Sequence, residues 1–139
     1  MKLSNLAVTL FCLVAIGARA EDAYSKQVSI QTVLKTSVDV AGNAISYPAA
    51  GQAQISGLIV EIPAGQNTGW HLHPYPCMAY VLSGEIDVED ASGVRRHFSP
   101  GNCFVELINV RHCGYNRGAV PVKLIFFAAG VAGGPISRK

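Results

Sequence analysis

The chain has 139 residues, 50% of them hydrophobic and only 14% charged, with eleven basic and nine acidic side chains. That length suits one domain with a modest core and is too short for two. Without any run of Lys or Arg, the charge gives no electrostatic reason to expect nucleic acid or an anionic lipid surface as partner.

From the N-terminus, Met1 and Lys2 lead into an apolar stretch, Leu6 to Gly17, which ends at Ala18-Arg19-Ala20. The charged start, short apolar run and small residues predict a secretory signal peptide over residues 1–20, with cleavage before Glu21. The stretch is short of the roughly 20 residues that a membrane-spanning helix needs, and no later segment replaces it. Cys12 lies inside the apolar run rather than after a small residue at its end, which argues against a lipid anchor. Cleavage removes Lys2 and Arg19, so nine basic residues then balance nine acidic ones. The expected location is secreted or periplasmic.

Residues 21–52 read as a lead-in with a first strand around Val28, Ile30 and Val33-Leu34, followed by a turn at Ala41-Gly42-Asn43. Ala53 to Ile62 alternates well and predicts a strand that stops at Pro63-Ala64-Gly65. Cys77 to Val88 is rich in β-formers, with Gly84 interrupting it, and Asp90 to Gly93 is a turn. Short strands follow around residues 94–98, 103–108, 111–116 and 120–128, separated by Pro100-Gly101, Asn109, Gly118 and Pro121. Many short strands at such spacing, with no helical periodicity, predict an all-β antiparallel sandwich or barrel over residues 53–129. The Gly-rich segment 130–139 reads as a flexible tail.

His71 and His73 are two apart on an extended segment, so both imidazoles face the same side, as two ligands of one metal require. His112 lies about forty residues on in another β-like segment, with Asn116 four further along. These residues resemble the two motifs of the cupin superfamily. Gly65, five residues, His71-Leu72-His73, three residues, Cys77, six residues and Gly84 match the first motif in every spacing, with Cys77 where a glutamate is usual. Pro100-Gly101 and His112-Cys113-Gly114-Tyr115-Asn116 match the second, although Leu107 and Asn109 stand where a proline and a glycine are usual.

The resemblance covers roughly residues 53–128 and implies an antiparallel double-stranded β-helix, the jelly-roll or cupin barrel. It also implies a divalent metal ion (Fe, Mn, Zn or Ni) on His71, His73 and His112, with Cys77 at the fourth position. Four roles for Cys77 stay open: a thiolate ligand, a thiol that leaves a three-histidine site open, a disulfide to Cys103 or Cys113, and a small buried apolar side chain. Three cysteines remain after cleavage, so in an oxidising compartment at least one is unpaired within the monomer.

Glu106, six residues before His112, is the other candidate for the missing carboxylate. The break expected at Asn109 makes strand parity unsafe there, and a water-facing strand end is the favoured reading. Tyr80, Tyr115, Asn116 and Glu106 are the candidate substrate-pocket residues, and His97 reads as a surface side chain. Cys113 and His112 are strand neighbours on opposite faces, which argues against a cysteine nucleophile. The functional expectation is a metal-binding barrel acting on a small organic molecule, with a dioxygenase-like enzyme as its catalytic form. The alternative is a non-catalytic metal- or ligand-binding barrel with a closed three-histidine, one-cysteine site. Pairing of two copies is implied by the resemblance alone.

Overall fold

A computed structural model describes residues 27–139. The chain divides into two compact units, 1–31 and 32–139. Of the first, residues 27–31 are described and carry no strand; the expected signal peptide lies outside the described residues.

The second unit is all-β. Its strands are β1 (Ala53–Ile62), β2 (Cys77–Ser83), β3 (Ile86–Asp90), β4 (Arg95–Phe98), β5 (Cys103–Val105), β6 (His112–Tyr115) and β7 (Val122–Val131). They form a four-stranded sheet in the order β1-β7-β2-β5 and a three-stranded sheet in the order β4-β3-β6, with every strand pair antiparallel. This is the antiparallel architecture that the strand spacing predicts, in the jelly-roll form that the resemblance implies.

The two-residue period of a strand explains the core. Cys77, Ala79 and Val81 of β2 are buried, as are Val122, Leu124, Phe126 and Ala128 of β7 and Ile86 and Val88 of β3, while the residues between them are more exposed. These inward side chains and Phe104 make one hydrophobic cluster, and each buried aliphatic or aromatic side chain contributes roughly 1.5–3 kcal/mol. At the β2–β3 corner Gly84 has φ 71°, and a Cβ there would come within 2.6 Å of the Pro121 carbonyl oxygen. The chain can turn that tightly only with glycine.

Two expectations need correction. Residues 28–36 carry no strand: Val28, Ile30 and Val33 are 50%, 45% and 48% exposed, so the alternation there does not mark a buried face. The tail expected to be flexible is held in place. Strand β7 runs to Val131, the chain turns with Gly134 N–H donating to Val131 C=O, and Arg138 then exchanges two backbone hydrogen bonds of 2.9 Å with Leu72. Gly130 permits this return, because a Cβ there would lie 2.6 Å from the Tyr75 ring.

Candidate metal centre

His71 and His73 lie on the segment between β1 and β2, which is stitched to its surroundings by backbone pairing. His71 and His112 exchange N–H···O=C bonds of 2.9 and 2.8 Å, and Asn109 N–H donates to His73 C=O at 2.8 Å. His112 opens β6, and Glu106 follows directly after β5. The ligating atoms of His71, His73, Glu106 and His112 all lie within 4.8 Å of one another. His73, Glu106 and His112 are buried, and His71 is partly exposed.

Each imidazole is fixed from behind by a main-chain carbonyl. The Nδ1 atoms of His71, His73 and His112 lie 2.8 Å from the carbonyl oxygens of Gly69, Ile136 and Val110. A carbonyl only accepts, so each Nδ1 carries the proton and each Nε2 turns its lone pair the other way. Those lone pairs converge: His71 Nε2 is 3.2 Å from His73 Nε2, and Glu106 Oε2 is 2.7 Å from His73 Nε2 and 3.2 Å from His112 Nε2. Nitrogen acceptors and a carboxylate aimed at one buried point repel unless a cation sits among them, so the donor set fits a divalent metal ion.

The electrostatics agree. Burial opposes the ionised form of Glu106, but without an ion a proton on Nε2 of His112 or His73 takes the cation's place, and its hydrogen bond to the carboxylate outweighs burial and holds the carboxyl below its usual range. Burial likewise opposes the charged form of His73, while the Cys77 sulfur and the Glu106 carboxylate beside it push its pKa up. Burial pushes His71 down. The cluster therefore supplies an ionised carboxylate and a site that favours positive charge.

Cys77 is not in the cluster. Its Sγ faces the Tyr75 carbonyl oxygen at 3.4 Å and is fully buried. Glu106 supplies the carboxylate instead, for a reason visible in the β2–β5 register. Met78 pairs with Val105 and Ala79 with Phe104, and Glu106 N–H donates to Cys77 C=O at 2.8 Å. One more step along that register sets Glu106 opposite Cys77 on the inner face, where side chains of cross-strand neighbours meet. Among the described residues Cys77, Cys103 and Cys113 are all free thiols, so the disulfide reading of Cys77 does not apply.

The candidate pocket residues scatter. Tyr80 sits on β2 between the buried Ala79 and Val81 and so faces outward. Tyr115 is likewise on the outer side of β6, with the Arg117 guanidinium 4.6 Å above its ring. Asn116 is buried and spent on the backbone, its Nδ2 donating to Ile62 and Val120 C=O and its Oδ1 accepting from Gly118 N–H. Of the four, only Glu106 lines the cavity over the histidines. His97 is on the outer surface beside Asp87 at 2.8 Å.

The cavity measures about 750 Å³ and has apolar walls that include Leu58, Val60, Leu124, Phe126 and Ile136. Sequence reading missed Ile136, whose only signal was an apolar residue in a tail that otherwise looked unstructured. It also missed Arg111 and Arg138, which line the same cavity.

The comparisons with known proteins bear on this geometry. Residues 58–128, just over half of the chain, match the family described as the cupin domain. The chain belongs to the cupin family.

Solved structures share the fold of this cupin at low identity. A conserved protein with a double-stranded β-helix domain from Klebsiella pneumoniae is 20% identical, with a TM-score of 0.53 over 66% of this chain and 90% of that one. A protein from Thermus thermophilus is 21% identical, with a TM-score of 0.51 over 62% and 82% of the two chains. A DMSP lyase from Ruegeria pomeroyi is 20% identical, with a TM-score of 0.52, but the match covers 58% of this chain and only 41% of the lyase. Curated proteins give no match. At such identities these structures speak for the fold of this cupin and leave its activity to the site.

Proposed function

We propose that this cupin holds a divalent metal ion on His71, His73, Glu106 and His112 and acts on a small organic molecule that enters the cavity beside it. The supporting observation is the convergence on one buried point of three Nε2 lone pairs, each fixed by a carbonyl behind the ring, and one buried carboxylate. A bound ion would supply Lewis acidity, with iron, manganese, zinc and nickel all compatible with three imidazoles and a carboxylate. The chain's own residues would hold the ion on neutral imidazole Nε2 atoms and one carboxylate, and the apolar side of the cavity would limit the access of water to it.

Elemental analysis of protein purified without chelator tests this. Near-stoichiometric metal should be lost in His73→Ala and in Glu106→Gln and kept in Cys77→Ser. A metal-free wild type would end the metal reading. Metal lost in Cys77→Ser but kept in Glu106→Gln would restore the thiolate as ligand.

The catalytic form of this reading is an oxygen-using, dioxygenase-like reaction. Its support is the free cavity over the histidines, large enough for a substrate and oxygen together. Oxygen uptake by the iron-loaded protein with candidate substrates decides between that and capture without turnover. We infer export from the leader at residues 1–20, which requires a mature chain beginning at Glu21. Pairing of two copies is supported by the long edge strand β1, whose Ile55 and Ile59 are each 65% exposed beside Phe127 of β7 at 45%. Light scattering of the purified protein reads the mass directly.

A further inference from the structure

Arginines elsewhere on the described barrel are paired. Arg95 meets Glu89 at 2.7 Å, Arg96 meets Asp90 at 3.0 Å, and Arg117 lies 3.2 Å from Asp87. The other two described arginines, Arg111 and Arg138, form no ion pair among the described residues, and both line the cavity over the histidines together with Lys139. The only acidic side chain in that lining is Glu106, already committed to His73 and His112.

Neither arginine hangs on loose chain. Arg111 directly precedes His112, whose backbone is tied to His71, and Arg138 is held by two backbone bonds to Leu72, the residue between His71 and His73. Both are solvent-exposed, so they stand at the wet edge of a cavity that has an apolar wall of Leu58, Val60, Leu124, Phe126 and Ile136 beside the histidine cluster. Unpaired guanidinium groups above an apolar chamber suit an amphipathic anion, and their planar fork matches a carboxylate.

We propose that Arg111 and Arg138 select the substrate: a small organic carboxylate whose charged group is held at the cavity rim and whose apolar body occupies the chamber beside the metal cluster. This rests on the reading of the cavity as the small-molecule site. Trp70, the single tryptophan of the sequence, also lines the cavity and reports binding by its fluorescence.

Phenylacetate, phenylacetamide and inorganic phosphate are titrated against the protein as purified, with metal content measured in the same samples. Phenylacetate is expected to give a saturable Trp70 response at least about tenfold tighter than phenylacetamide, weakening as salt rises. Arg111→Gln and Arg138→Gln should each weaken it roughly tenfold, Arg138→Lys less, and the outer-face control Arg117→Gln not at all, with metal content unchanged throughout. Equal binding of acid and amide, tighter binding of phosphate, or full affinity in both Gln variants overturns the proposal. Carboxylate selectivity in a protein without metal would sink the metal reading and leave this one standing. Bound metal with no carboxylate selectivity would do the reverse.

Discussion

Glu106 supplies the one carboxylate of the candidate metal site, and it does so from the residue just after β5 rather than from β2, where the cupin motif normally places its carboxylate. Because Cys77 and Glu106 are cross-strand neighbours on one inner face, a carboxylate from either position reaches much the same space. Glu106→Ala should therefore lose metal, and adding Cys77→Glu should restore a substantial part of it, measured by competition with a chromophoric chelator. If the double variant stays as metal-free as the single one, the two positions are not equivalent. Asp90 offers a separate test through pH. Hydrogen bonds from the Ser92 hydroxyl and the Arg96 guanidinium hold its carboxyl at about 2, below the ordinary 3.8. A depressed carboxyl pKa stabilises the fold above the ordinary value, and that contribution fades as pH falls through the depressed one. Asp90→Ala should cost about 1–3 kcal/mol at neutral pH. Urea unfolding should show the gap to wild type narrowing between roughly pH 4 and pH 2; a gap that is constant down to pH 2 would refute the assignment.

Among the elements, the C-terminal segment does more than cover the barrel. It gives the Ile136 carbonyl to His73 Nδ1, pairs Arg138 with Leu72 and packs Ile136 against the core. Carbonyls behind metal-binding histidines typically matter 10- to 100-fold in affinity. Deleting residues 135–139 should weaken metal binding by about that factor, whereas Arg138→Ala, which keeps the backbone contacts, should leave it intact. Equal losses in the two variants would mean that the side chain, not the carbonyl, matters. A second support comes from the loop at Asp39, which is buried. Its Oδ1 accepts from Ala41 and Asn43 N–H, its Oδ2 accepts from Ile108 N–H, and Val40 N–H donates to Val105 C=O. This loop braces both sides of Glu106, so the lead-in that lacks the expected strand still fixes a candidate ligand.

At the scale of the molecule, the metal cluster joins segments distant in sequence: 71–73, 106, 112 and 136 meet only when both sheets are closed. An ion bound there therefore stabilises the folded state by mass action. With free metal 100-fold above its dissociation constant the gain is about 2.7 kcal/mol, seen as a rise of several degrees in Tm that a chelator reverses. Identical melting with and without chelator would show that nothing binds.

How far the sequence alone reached follows from the range of the interactions concerned. Strand positions, the turns at Gly84 and Pro100-Gly101, and the shared face of His71 and His73 depend on residues close together in the chain, where side-chain alternation and backbone sterics leave a readable pattern. The matched spacings of Gly65, His71, His73, Gly84, His112 and Asn116 carried the family. Parity counted from His112 could not place Glu106, because the chain breaks at Asn109, which has φ 57°. The informative parity runs back to Phe104 and across to Cys77, and it exists only once the β2–β5 register is set. Asn116 had the right spacing for a pocket residue, yet the unpaired backbone groups at Ile62, Val120 and Gly118 claimed its side chain. The glycines after Ala129 suggested looseness by composition, but Gly130 makes room for Tyr75, a contact across more than fifty residues. Local pattern thus determined the strands of the barrel, the fold and three imidazoles; tertiary pairing alone decided the fourth candidate donor, the seated tail and the cationic rim, because each depends on which distant backbones lie side by side.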